Sequence, residues 1–324
     1  MGSAFVDLTC SYVPVEIIRA AGFTPRRWLP TPVGAGGGLP QSLCSYARAC
    51  AAGSGAAAVF TTCCDGMRRC YDLRATRGDR VFILDLPRTA HDAAVTYFAR
   101  ELQRLGDWLA GLGGQAVTPR SLAAAVDMES GRRQHLLRRT TGAARAAERY
   151  GVYLESLATS PYQATAYGTD AAAPGPGEGP PVLVTGTCPP DPGFVAAVEE
   201  SGLRPAGLDF CTVIRGFAEP PLGEGGDPWL ALARGYLAKP PCPRTADRAR
   251  RRAYLEQLLD ETGARGVVAY GFKFCDHTAY DLGLWRTVCR HRGLPLLYLE
   301  GEYGAHAPGQ FLTRLHAFRE ALEA

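Results

Sequence analysis

Residues 56–72 read AAAVFTTCCDGMRRCYD. The first six, Ala56–Thr61, are a small apolar run of strand length, and the remainder leads into a basic, helix-compatible segment. A strand that hands directly to a helix is half of a βα unit. The joint carries Cys63 and Cys64, and Cys70 follows within the helical part. Thiols at such a joint admit three readings: a disulfide, a metal site and a reactive thiol.

Outward from this joint the rhythm repeats. VFILDL (81–86) is a second strand, rich in branched and aromatic residues. Upstream, residues 13–28 (with VPVEIIRAAG closing on Gly22) are expected to form an opening helix, and 41–52 a short helix carrying Cys44 and Cys50. GAGGG (34–38) lacks the spacing of a dinucleotide-binding loop and reads as a connection. Downstream, 90–112, 119–130 and 132–157 show apolar residues at helical spacing. The stretch TDAAAPGPGEGPP (169–181) has no apolar periodicity, and a linker at 171–181 is expected to separate an N-terminal α/β domain with helical segments (1–170) from a C-terminal α/β domain (182–324). Beyond it, strands at 181–186, 203–210, 266–272 and 294–304 alternate with helices. That alternation implies an α/β fold with parallel sheets and right-handed crossovers.

Composition narrows the function classes. Hydrophobic content of 46% and charged content of 21% are ordinary for a globular chain. The net charge of +3, from 35 basic and 32 acidic residues, argues against nucleic acid as the main partner. There is no stretch resembling a secretion signal and no apolar run of transmembrane length, so a cytoplasmic location with no membrane partner is expected. In a reducing cytosol, eleven cysteines are not a disulfide framework. Metal ligation, redox chemistry and buried packing remain.

Position favours ligation. Sites in open parallel sheets form beyond the carboxyl ends of the strands. Cys63 and Cys64 fall there, as do Cys188, Cys211 and Cys275. A helix N-terminus supplies free N–H groups and partial positive charge, which favour a thiolate. Asp65 and Asp276, each directly after a cysteine, are placed to cap the following helix. The paired C-x₂₋₄-C knuckles of structural zinc are missing, as is the redox C-x-x-C. Dispersed single cysteines are compatible with an iron–sulfur cluster assembled in a domain cleft. Cys289 lies inside a helical pattern and Cys10 and Cys188 read as structural. His277, Glu302 and His306 follow late strands and are the candidates for a catalytic base, although each also reads as a solvated loop residue or cap. Arg215 and Arg244 suit either a phosphate contact or a surface ion pair.

The stretches VPVEIIRAAGFTPRRW, LCSYARAC, TTCCDGMRRCYD, DLPR, YFARELQRL, LVTGTCPP, FCTVIRGF, GYLAKPPCPR, GFKFCD, GLPLLYLEGEYG and GQFLTRLHAF, in this order, resemble the 2-hydroxyacyl-CoA dehydratase D-component family. That family also holds benzoyl-CoA reductase subunits and double-cubane cluster proteins. The resemblance implies two flavodoxin/Rossmann-like domains with added helices and an iron–sulfur site in the cleft between them. It implies a [4Fe–4S] cluster on three cysteines, carried over here as Cys44, Cys64 and Cys275. The separation of Cys44 from Cys64 is shorter than the family pattern, so either the cluster pocket is trimmed or Cys44 is displaced as a ligand, with Cys50 or Cys63 then the substitute. In the double-cubane branch an [8Fe–9S] cluster would add Cys211 and Cys242, with Cys63 or Cys10.

The implied activity is radical dehydration of a 2-hydroxyacyl-CoA or related acyl-CoA reduction. One-electron reduction of the thioester gives a ketyl radical, loss of the 2-hydroxyl acidifies the β-proton, and the electron is then returned. The implied partners are an acyl-CoA or other thioester, a related subunit or a second copy, and a separate ATP-dependent iron–sulfur activator. No G-x-x-x-x-G-K-[ST] loop is present in the chain itself. Two alternatives stand beside this: a double-cubane reductase of a small molecule, and a non-catalytic scaffold subunit.

Overall fold

Eight strands form two all-parallel, four-stranded sheets in the computed structural model, which describes residues 4–30, 39–53, 57–140, 145–158, 178–186, 192–218, 220, 226–304 and 309–324. The first sheet is ordered β2 (Thr24–Arg27), β1 (Phe5–Leu8), β3 (Ala57–Thr61), β4 (Val81–Leu84). The second repeats that order with β6 (Arg204–Asp209), β5 (Pro181–Gly186), β7 (Gly266–Phe272) and β8 (Leu296–Gly301). In each, the chain winds outward in both directions from a central pair, β1/β3 and β5/β7. Such a pair marks a topological switch point, with a crevice at its carboxyl end. β3 and β7 are buried along their whole length, which is why AAVFT and GVVAYGF are continuous apolar or small runs rather than alternating ones.

The N-terminal expectation needs correction. Only Val15–Ala20 is helical (α1); Gly22, at φ 86°, turns the chain, and Thr24–Arg27 run as a strand. TPRR shows no apolar alternation and contains a proline, a residue tolerated at the sheet edge that β2 occupies. The division at 130/132 is also displaced. Helix α5 (Pro119–Thr140) runs unbroken through Gly131, and α6 (Ala146–Ala158) is separate. Ion pairs from α5 to α1, Glu129 to Arg19 and Arg133 to Glu16, offset the roughly 1 kcal/mol that a mid-helix glycine costs. The GAGGG segment and residues 171–177 of the expected linker lie outside the described residues.

Packing does not follow chain order. Helix α4 (Asp92–Gly111) packs against α9 (Pro228–Ala238), whose Leu232, Ala233, Tyr236 and Leu237 join the core of the first sheet. Helix α6 packs against α7 (Pro192–Glu200), and its Ala146 and Tyr150 join the core of the second. Tyr46, Cys50, Phe60, Met67 and Cys70, although they come from the first half of the chain, share that second core. The two sheets are thereby fixed with their carboxyl ends toward common ground.

Candidate metal centre

The carboxyl ends of both sheets open into one cavity of about 230 Å³, lined by seven of the eleven cysteines. Cys10 follows β1, Cys63 and Cys64 follow β3, Cys211 follows β6 and Cys275 follows β7. Cys44 enters at the start of α2 (Ser45–Ala52), and Cys242 on the loop after α9. Cys50, Cys70 and Cys289 are buried in the cores instead, with the Cys70 thiol donating to the Ala47 carbonyl at 3.0 Å. Cys188 lies outside the described residues.

Cys44, Cys64 and Cys275 share one local geometry. Each is the N-cap residue of a helix: α2, α3 (Asp65–Thr76) and α11 (Asp276–Arg292). None caps its helix through its side chain. Cysteine is not among the residues favoured at this position, so helix initiation alone does not explain the choice. The result is three sets of first-turn N–H groups, with their partial positive charge, at the wall of one cavity. Asp65 and Asp276 are the first helical residues rather than caps, and there their negative charge suits the helix dipole. Directly before Cys275, Phe274 is held at φ 59° and is 59% exposed at the cavity rim. It is the one non-glycine residue at positive φ among the described residues, a conformation that is strained for a bulky side chain.

The thiols touch one another. A hydrogen bond to the Cys275 thiol, followed by burial, pushes Cys44 far above the usual thiol range, while the first-turn amides of Ala47 and Tyr46 act the other way. At Cys63 the contact with Cys10 lowers the pKa, but the contact with Cys64 and burial outweigh it and the net shift is upward. Cys10 is raised by its bond to Cys63 and by burial, and Cys211 is raised by burial. Crowded, desolvated thiols resist ionising together. A bound cation reverses that balance, because thiolate ligands bind as their protons leave.

Other predicted residues separate clearly. His277 lines the cavity, and its Nε2 lies 2.8 Å from the Cys63 carbonyl, tying α11 to the β3–α3 joint. Glu302 is not part of the lining: its carboxylate pairs with Arg48 at 3.0 Å. His306 lies outside the described residues. Arg215 and Arg244 are not at the surface; they are 2% and 4% exposed and both line the cavity. Arg215 pairs with buried Asp209 at 2.9 Å. Arg27, at the end of β2, reaches across to place its Nη2 3.7 Å from the Cys211 sulfur. Arg27 is the site residue that the sequence left aside, and Cys10, read mainly as structural and otherwise as a completing ligand of the double-cubane alternative, lines the cavity as well. Recognising FVDL and TPRR as strands would have set both at the carboxyl edge.

The donor set fits an iron–sulfur cluster. Sulfur ligands predominate, they come from separate loops, and backbone N–H groups lie beside them. Among the described residues no three His, Cys, Asp or Glu converge closely enough to hold a single metal ion. No described helix is long and apolar enough to cross a membrane.

Comparison with known proteins shows the family. A family model described as "2-hydroxyglutaryl-CoA dehydratase, D-component" matches residues 10–322. The "(R)-phenyllactyl-CoA dehydratase beta subunit" of Clostridium sporogenes is 26% identical over 153 residues, which cover 47% of this chain and 40% of that protein. The match thus spans well under two thirds of the curated relative. Among solved structures, ZnuA is 12% identical, with 99% of this chain and 98% of that one covered and a TM-score of 0.26. The SBP FpvC from Pseudomonas aeruginosa in complex with Mn2+ is 14% identical, with 99% of each chain covered and a TM-score of 0.22. Superpositions this poor carry no argument about fold or ligand.

Proposed function

Because the chain belongs to the 2-hydroxyglutaryl-CoA dehydratase D-component family, we propose that it is the iron–sulfur subunit of a radical 2-hydroxyacyl-CoA dehydratase or a related acyl-CoA reductase. The observation that carries this is the convergence of Cys44, Cys64 and Cys275, three helix N-caps from three separate joints, on one cavity. These three would hold a [4Fe–4S] cluster. When bound, the cluster supplies single electrons at low potential and an open iron that acts as a Lewis acid.

The chain's own residues supply the rest. Tyr12, Leu43, Tyr46 and Met67 wall the cavity and limit water. His277 is favoured over Glu302 as the base. With Nε2 donating to the Cys63 carbonyl, Nδ1 is the nitrogen left to accept a proton from the substrate. The substrate is a 2-hydroxyacyl thioester, the electron comes from a separate ATP-dependent iron–sulfur activator, and a related subunit or a second copy completes the enzyme. The relative's own name, a beta subunit, supports the need for a partner. A second reading, a double-cubane [8Fe–9S] reductase of a small molecule, is favoured by one observation: Cys10, Cys63, Cys211 and Cys242 line the same cavity.

Iron and acid-labile sulfide per chain, measured on anaerobically purified wild type and Cys64→Ala, test both. About four irons, lost in the variant, support the single cubane; about eight support the double one. No iron, even after anaerobic reconstitution, leaves only a scaffold role.

A further inference from the structure

We propose that Arg244 is a fixed counter-charge for an anionic iron–sulfur centre in the thiol cavity and that it sets how readily that centre is reduced. This rests on the cluster reading above and adds a residue to it.

Arg244 lies two positions after Cys242, lines the cavity and is 4% exposed. A buried guanidinium is costly unless an opposite charge meets it. Four other buried arginines satisfy that condition: Arg74 pairs with Asp79, Arg133 with Glu16, Arg215 with Asp209, and Arg251 with Asp209 and Asp281. Arg244 meets no carboxylate among the described residues. Its Nη2 donates to the Pro87 carbonyl, its Cζ lies 4.9 Å from the Tyr12 ring centroid, and its buried Nε has no hydrogen-bond partner. Asp65 and Asp276, the carboxylates that line the cavity, are exposed first-turn residues of α3 and α11. Arg27 adds a second guanidinium to the same wall, beside the Cys211 sulfur.

The cavity wall thus carries buried positive charge that this chain does not itself balance at Arg244. A cluster held by thiolates is anionic, and each added electron makes it more so. A fixed cation stabilises the reduced form more than the oxidised one and raises the potential. In the test the electron comes from dithionite through mediator dyes, and no bond in the chain forms or breaks.

The experiment is a redox titration followed by EPR on wild type, Arg244→Gln and Arg244→Lys, with iron and sulfide per chain measured first. In Arg244→Gln the reduced-to-oxidised ratio at a fixed poise is expected to fall at least tenfold, a shift of 59 mV for one electron. Arg244→Lys, which keeps the charge, is expected to stay within that margin of wild type. An Arg244→Gln protein with wild-type iron and an unchanged potential overturns the proposal and leaves the cluster reading intact. If Arg244→Gln takes up no iron, Arg244→Lys decides: loading at the wild-type potential supports the proposal, and failure to load overturns it. A wild type that takes up no cluster overturns both.

Discussion

Replacing Glu16 by glutamine should loosen the joint that positions Cys242 and Arg244. Glu16 sits on α1 and is fully buried. Its Oε1 accepts from Arg133 Nη2 on α5 at 2.6 Å, and its Oε2 accepts from the Tyr236 hydroxyl on α9 at 2.6 Å. Burial, then the Glu16 carboxylate, push the Tyr236 phenol far above its ordinary pKa, so it remains a donor. Glutamine keeps the volume but presents an NH₂ group to one of two donors, and it leaves the Arg133 charge, 6% exposed, without its carboxylate. Breaking a buried pair from one side costs about 3–5 kcal/mol. The Arg133 bond to the Tyr236 oxygen, at 3.3 Å, survives and offsets about 1 kcal/mol. The expected net loss is therefore about 2–4 kcal/mol. Urea unfolding followed by tryptophan fluorescence reads it, because Trp108 on α4 and Trp229 on α9 pack against the first-sheet core that Tyr236 joins. A cycle with Tyr236→Phe should show coupling of about 1 kcal/mol or more. A loss below about 1 kcal/mol with an unchanged slope would refute the idea that α9 is clamped by a dry ionic joint.

Two further outcomes follow from the second sheet. Burial alone would raise the Asp209 carboxyl, but the guanidiniums of Arg215 and Arg251, with the hydroxyls of Thr185 and Tyr254, hold it below the usual carboxylate range. Its stabilising contribution is thus present above the unfolded carboxylate pKa of about 4 and is lost as pH falls below that. Wild type should lose stability more steeply than Asp209→Asn over roughly pH 4 to 2, and equal slopes in urea midpoints would sink the assignment. Gly271→Ala adds a Cβ that meets the Thr278 side chain on α11. It should cost about 1–3 kcal/mol and reduce iron per chain by displacing the helix start that bears Cys275. Gly283→Ala, in the same helix with open space around it, is the control; equal loading of the two proteins would contradict this.

What the sequence revealed depended on how much of each element's logic is local. PVLVTG and GVVAYGF announce themselves because a parallel strand buried on both faces is a continuous apolar run. FVDL and TPRR do not, because their pairing is cooperative between strands: Arg26 of β2 donates to Asp7 of β1 at 2.6 Å, and neither charge suggests a strand by itself. Cys63, Cys64, Cys211 and Cys275, at the ends of strands that the sequence announces, were legible by position. Cys242 was not, because it stands at no strand end and reaches the cavity through the crossing of α9 onto the first sheet. The surface reading of Arg215 and Arg244 failed for a related reason. One sequence carries no record of which guanidiniums are buried, and Arg215 finds its partner only when β6 and the one-turn helix Ile214–Phe217 fold together.

The division of the thiols between the sheets has its own consequence. Cys10, Cys63 and Cys64 leave the first sheet, Cys211 and Cys275 leave the second, and Cys44 meets Cys275 across the boundary. Three other contacts cross at the same level: His277 to the Cys63 carbonyl, Arg27 to Cys211, and the Tyr303 N–H to the Ser45 hydroxyl at 2.8 Å. A ligand that needs thiolates from both sheets binds only while these contacts hold. By mass action, its binding free energy then stabilises the docked arrangement over any in which the sheets separate. Occupancy by the proposed cluster and the relative placement of the two halves would in this way be one equilibrium, and the thiol contacts at Cys44–Cys275 are where the two meet.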